Sequence, residues 1–148
     1  MPSPLLYVSN SQINAVVPFA LDGNTNASVV AQYLGISSDP APVPVAAAVP
    51  GIFALNSTGA GPGSIQNMDH SVNSPSNPAS RGSLVTMYAT GGGQTTPPGI
   101  DDAIYTAAGF TPRLPVGVQV GGVDAEVSYA GAVLLLCRER FRSTSGFR

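Results

Sequence analysis

Proline and glycine punctuate this chain so regularly that almost no room is left for an α-helix. The 14 prolines and 17 glycines are spread along the whole length instead of being gathered into linkers. Proline inside a helix removes a backbone donor and clashes with the preceding turn, and glycine there costs conformational entropy. Few windows of helical length escape both. Between the breakers stand short apolar runs rich in valine and isoleucine, bounded by Ser, Asn, Asp and Gly, which is the pattern of β-strands.

Taken in order, the expected strands are Leu5 to Val8, Ile13 to Phe19, Ala27 to Leu34, Val43 to Val49 and Ile52 to Leu55. Prolines at 40, 42 and 44 mark an edge strand or a polyproline stretch, because proline cannot donate to a ladder. The Gly- and Asn-rich region from Asn56 to Arg81 has room for one short strand near Ser64 to Asn67. Ser83 to Thr90 carries the strongest strand signal: Leu84, Thr86, Tyr88 and Thr90 alternate with Val85, Met87 and Ala89 before Gly91-Gly92-Gly93. Val116 to Val120 and Val123 to Tyr129 are joined by Gly121-Gly122, a pair suited to a tight hairpin. Short strands with regular turn signals predict an all-β fold, an immunoglobulin-like β-sandwich.

Charge narrows the function classes. Only 9% of residues are charged and the net charge is −2, against a usual charged share of about a quarter. No nucleic-acid partner is expected from such a balance. Lysine is absent, so the surface must be built from Ser, Thr, Asn, Gln and backbone. The lone Cys137 cannot form an internal disulfide, and within its apolar run it reads as a core residue. Met1-Pro2-Ser3-Pro4 lacks the basic and apolar regions of a signal peptide. No apolar run approaches the roughly 20 residues that span a bilayer as a helix. Any export signal therefore belongs to a longer parent protein. The charges are also unevenly placed: Arg81 and Arg113 are the only arginines before Cys137, whereas Arg138, Arg140, Arg142 and Arg148 crowd the end.

The string Asn73-Ser74-Pro75-Ser76-Asn77-Pro78-Ala79-Ser80-Arg81-Gly82, running into Leu84 to Thr95, resembles a C-terminal domain repeated in large exported proteins of soil Acidobacteria such as Solibacter. Other pieces match in order. Tyr7-Val8-Ser9, Gln12-Ile13-Asn14 and Val17-Pro18 resemble that family's opening. Ala48 to Phe53 resembles its central joint, and Val120 to Val123 with Ala125 to Val127 and Tyr129 to Ala132 its penultimate hairpin. The resemblance spans about residues 5 to 132. It implies a secreted or cell-surface parent protein and no established activity.

After Ala132 the pattern departs. The family continues with an apolar, glycine-containing segment and a last strand Gln-x-Asn-x-x-Val-Pro, while this chain reads Val133 to Cys137 and then Arg138-Glu139-Arg140-Phe141-Arg142. The expected organisation is a partial β-unit at 1–50, a sandwich unit at 51–132 and an atypical tail at 133–148: one and a half related β-units. Gln12 to Pro18 itself fits the missing pattern. It could complete the sheet by strand complementation, within one chain or as a homodimer by strand exchange. The competing expectation is that Val133 to Cys137 serves as the last strand.

Candidate chemistry is sparse. His70 is the only histidine, flanked by Asp69 and Ser71. Neighbours in extended chain point to opposite faces, so these three cannot make a triad among themselves. The better reading is an exposed loop histidine, and the resemblance, which implies glycine here, favours a turn. Asn67, Asp69, Ser71 and Asn73 place an oxygen at every second position, as calcium loops do, but a distal Glu and a central Gly are missing; Asx-turns account for the pattern better. Gly91-Gly92-Gly93 is a phosphate cradle only with a following helix and a lysine. Asp101-Asp102 and the pair Asp124/Glu126 read as loop or strand-face carboxylates. No cofactor is expected. The function expected is a non-catalytic β-sandwich module with a structural, adhesive or binding role and an unidentified ligand. Alternatives are a small esterase- or phosphoesterase-type hydrolase using His70 and a nearby acid, and a carbohydrate-binding module, weakened by the absence of Trp.

The family break and the charge break coincide, and out-of-frame GC-rich codons yield arginine, so the tail is read as a frameshifted or truncated ending. The neighbouring frame of the parent DNA should encode Gln-x-Asn-x-x-Val-Pro; its absence there ends this reading.

Overall fold

The computed structural model describes residues 1–101, 103, 109–133 and 138–144, the last seven as backbone. The chain is all-β. It divides into two compact units, one formed by Met1–Ala47 with Ile100 and Asp101, the other by Ala48–Gly99 and the described residues from Ala103 onward.

The first unit is made of two-stranded sheets. β1 (Leu5–Val8) pairs with β2 (Ile13–Ala15) around a turn in which the Ser9 hydroxyl accepts from the backbone N–H of Ser11 (3.3 Å) and Gln12 (3.0 Å). β2 is shorter than the apolar run suggests, because buried Pro18 starts a 3-10 turn at Phe19–Leu21. Asp101 caps that turn from far along the chain: one carboxylate oxygen accepts from Phe19 N–H (2.5 Å), the other from Ala20 N–H (3.2 Å). These are donors that a turn start leaves without partners of its own.

β3 (Asn26–Val29) pairs with β6 (Ala41–Pro44). Between them the expected long strand breaks into a hairpin of β4 (Gln32–Tyr33) and β5 (Ile36–Ser37). The prolines of β6 sit where a ladder tolerates them. Val45 N–H donates to Thr25 C=O (2.9 Å), making 45 and 25 a hydrogen-bonded pair. Antiparallel pairs alternate between bonded and non-bonded. With Ala27 opposite Val43, Pro44 and Pro42 fall at non-bonded positions, where the nitrogen faces away from β3. The outer edge of β6 thus lacks the donors an added strand needs.

The second unit is organised on β9 (Leu84–Thr90), the strand with the clearest alternation. Two short strands share one of its edges, β7 (Gly51–Ile52) opposite Ala89 and Thr90, and β8 (Ile65–Gln66) opposite Thr86 and Met87. Bonds from Phe53 N–H to Tyr88 C=O (3.0 Å) and from Tyr88 N–H to Ser64 C=O (3.1 Å) complete that edge. Met87 and Ala89 are buried at the core of this unit, with Ile65, Val116, Val118 and Ala130 packed against them. On the other face the Tyr88 hydroxyl donates to the Gln66 amide oxygen (3.0 Å). β10 (Thr95–Thr96) and β11 (Thr111–Pro112) form a separate small ladder. β12 (Val118–Val120) and β13 (Val123–Val133) make the Gly121-Gly122 hairpin, and β13 runs on past the expected Tyr129.

The other edge of β9 corrects the expectation for the tail. β14 (Arg138–Thr144) lies between β13 and β9, antiparallel to both. The vacancy that motivated strand complementation is therefore filled from the C-terminal side, and Gln12 to Pro18 places its strand against β1 instead. The competing candidate, Val133 to Cys137, has residues 134–137 outside the described residues.

Two glycines stand where a side chain would not fit. Gly91 has φ +76°, and its C=O accepts from Val49 N–H (2.9 Å); a Cβ there would run into the Val49 carbonyl. This contact ties the Val49-Pro50 joint to the end of β9. At buried Gly131 a Cβ would meet the Tyr129 hydroxyl and the Phe110 carbonyl, so the tyrosine ring needs glycine two residues on. Gly91→Ala should lower unfolding stability by about 1–3 kcal/mol in denaturant titrations. Gly117→Ala, which has open space and no positive φ, should be neutral or slightly stabilising.

Candidate functional site

The residues singled out for chemistry come together in the loop that leaves β8. Gln66 bridges to Val72, and Asn73 N–H donates to Ile65 C=O (2.9 Å), so residues 67–71 form a tight excursion. Asn67 N–H donates to Ser71 C=O (2.9 Å) and His70 N–H to Asn67 C=O (3.0 Å). His70 is at the apex with φ +66°, a left-handed conformation that glycine adopts freely and other residues rarely.

The structure brings Asn67, Asp69, Ser71 and Asn73 within hydrogen-bonding reach of one another, and adds Asn77. Asp69 Oδ1 accepts from both the backbone N–H (3.0 Å) and the hydroxyl (2.5 Å) of Ser71. The Ser71 hydroxyl oxygen also accepts from the side-chain amides of Asn77 (2.8 Å) and Asn67 (3.2 Å). Asn67 Oδ1 accepts from the Asn73 amide (2.9 Å). Asn67 and Asn77 reach further, to the carbonyls of Asn77 and Val72 (both 3.2 Å). This knot is an extended Asx-turn network. The hydrogen bonds from the Ser71 hydroxyl and backbone hold the Asp69 carboxyl below the ordinary 3.8, with the neighbouring His70 adding to the effect.

The Ser71 proton points to Asp69, not His70. An acid with a lowered pKa is a weaker base, so the contact ties the loop more than it activates the hydroxyl. Of the oxygens that alternate like calcium ligands, Asn67 Oδ1 and the Ser71 hydroxyl accept from side-chain amides, and Asp69 Oδ1 accepts from Ser71. Among the described residues no group of three or more His, Cys, Asp or Glu converges on one point.

The remaining candidates lie elsewhere. Gly91 gives its carbonyl to Val49, and Gly93 also has positive φ, so the triple glycine is a strand exit. Asp101 caps the Phe19 turn, a role its sequence context did not suggest, and Asp102 lies outside the described residues. The Asp124 carboxylate accepts from the Gln119 amide across the β12–β13 hairpin (2.8 Å). Arg138, Arg140 and Arg142 occupy β14, in register with Val133, with Tyr88 and with Thr86 respectively. Cys137 is outside the described residues. Sequence reading missed an open groove of about 390 Å³ between Pro112, Leu114, Pro115 and Val116 on one wall and Val127 and Tyr129 on the other. No lining residue is charged.

No family model, no curated protein and no solved structure matches this chain. No helix among the described residues is long and apolar enough to cross a membrane.

A carboxyl held low by folding contributes stability above its unfolded pKa, and that contribution fades as pH falls through the folded value. Ser71→Ala removes the largest cause. By NMR titration the Asp69 carboxyl should then move up toward 3.8; an unmoved titration would show that the hydroxyl contact does not form in solution.

Proposed function

We propose that this chain is a non-catalytic, immunoglobulin-like β-sandwich module of an exported or cell-surface bacterial protein, with a structural or adhesive role. The observation that carries this reading is the fate of the Ser71 hydroxyl. It is the one hydroxyl beside both the histidine and an acid, and it is committed to Asp69, Asn67 and Asn77 as a loop tie. A hydrolase of the alternative kind would need that proton delivered to a base free to accept it. The export reading draws support from the lysine-free, Ser- and Asn-rich composition and from the acidobacterial motifs. Two of those motifs have a physical reason here, in the space Gly91 and Gly131 leave for Val49 and Tyr129.

The glycan-binding alternative has less behind it. The Tyr129 hydroxyl turns back toward the Ala132 carbonyl (3.4 Å), and the chain has no tryptophan to stack on a sugar. Exchange of Gln12 to Pro18 between two copies is compatible with an adhesive role. It would require opening the β1–β2 ladder, since these strands pair with each other.

His70→Gly places in the apex the residue suited to its φ. We expect the variant to keep its unfolding free energy within about 0.5 kcal/mol. Neither protein should hydrolyse p-nitrophenyl acetate or p-nitrophenyl phosphate. Turnover by the parent chain that vanishes in a folded His70→Gly variant would overturn the non-catalytic reading.

A further inference from the structure

The first unit keeps little apolar surface away from water. Pro18 is the one buried residue of 1–47. Leu5, Leu6, Tyr7, Val8, Ile13 and Val17 are all more than half exposed. The strands of this unit pair only in twos, and a two-stranded ladder without a packed face is marginal in water. The ties that remain gather at one corner. The Ser3 hydroxyl donates to the Val16 carbonyl (2.5 Å) and Val16 N–H to the Pro4 carbonyl (2.8 Å), which sets the start of the chain against the residues leading into Pro18. Directly after Pro18, the N–H groups of Phe19 and Ala20 are taken by the two oxygens of Asp101.

We infer that Asp101 is a clasp on the first unit: residues 1–47 hold their fold only while Asp101 is held in place, and they open together, with the second unit still folded, when it lets go. The Phe19–Asp101 contact spans 82 positions. The entropic cost of closing so long a loop falls away when the intervening chain is already folded. That condition is met just before the clasp. The Gln94 side-chain oxygen accepts from Thr95 N–H (2.9 Å) and Gly99 N–H (2.8 Å), and the Gln94 carbonyl accepts from Arg113 N–H (2.8 Å). The loop that ends at Gly99 is thus tied into the second unit two residues before Asp101. A carboxylate is also the stronger kind of acceptor for such donors, and residues 1–47 contain no Lys, Arg or His to draw it away. With so little burial behind it, the first unit belongs to the low-stability end of the molecule, where segments open before the whole chain unfolds. Opening it frees Gln12 to Pro18 from β1, the step that exchange of this strand between copies requires. This inference goes beyond the proposed role, and its failure leaves the non-catalytic reading untouched.

The test is native-state amide hydrogen exchange of the full chain, read by NMR for the parent, Asp101→Ala and Asp101→Asn. Phe19 and Ala20 report on the clasp itself. Ser9, Val16 and Val45, whose N–H groups are bonded to the carbonyls of Gln12, Pro4 and Thr25, report on the rest of the unit. Asp101→Ala should lower the protection of all five by roughly tenfold or more, the effect of losing a charged acceptor, and leave Leu84–Thr90 unchanged. Asp101→Asn keeps one acceptor oxygen and should fall between the two. Asp124→Ala removes a side-chain contact from the second unit instead, and should leave residues 1–47 as protected as in the parent. Loss confined to Phe19 and Ala20, with Ser9, Val16 and Val45 still protected, would make Asp101 a local cap and overturn the inference. Unchanged protection at Phe19 and Ala20 would overturn it too. So would a loss that extends to Leu84–Thr90, because the two units would then open as one.

Discussion

The second unit depends on the ladder of β9. One edge is served by two short strands, β7 and β8, and the other by β14 over nearly its whole length. A central strand with both edges paired leaves few backbone groups to desolvate without a partner, which is what allows Met87 and Ala89 to be buried. Burying a methionine side chain contributes about 1.5–3 kcal/mol, so a core this small leans heavily on the hydrogen bonds around it. The Gly91–Val49 contact fixes where the chain enters β7, and hence the register of that edge.

The first unit is held differently. No aliphatic side chain of β1 is buried, and its strands pair in twos. Much of its definition comes from polar and backbone devices: the Ser9 turn, the proline-edged β6, and the Asp101 carboxylate reaching the Phe19 turn. Such devices specify a local conformation without supplying much burial.

How much was legible in the sequence follows from this contrast. β1, β9 and the Gly121-Gly122 hairpin could be read directly, because alternation and turn glycines are local signals that tertiary packing left in place. The split of the expected Ala27 to Leu34 strand was hidden, since Tyr33-Leu34-Gly35-Ile36 reads as apolar strand unless Leu-Gly is recognised as a turn pair. β14 was missed because arginine-rich composition argues for solvent, whereas position in a ladder depends on backbone groups that every residue shares. In the candidate site, Asn67, Asp69, Ser71 and Asn73 were legible as a spacing, and the turn role of His70 as a loop position. Asn77 was not, because it joins the knot only when the loop folds back on Ser71 and Val72, and the Asp101 cap was not, because its partner lies far along the chain.

The second unit is closed only if the C-terminal strand β14 completes its sheet. Amide hydrogen exchange of the native chain, read residue by residue, measures this directly. If Arg138–Thr144 occupies the place between β13 and β9, its amides should be protected to a degree comparable with Leu84–Thr90, and the two segments should lose protection together as denaturant is added. Rapid exchange throughout Arg138–Thr144 beside a protected β9 would contradict the account, and would return the open edge to another strand.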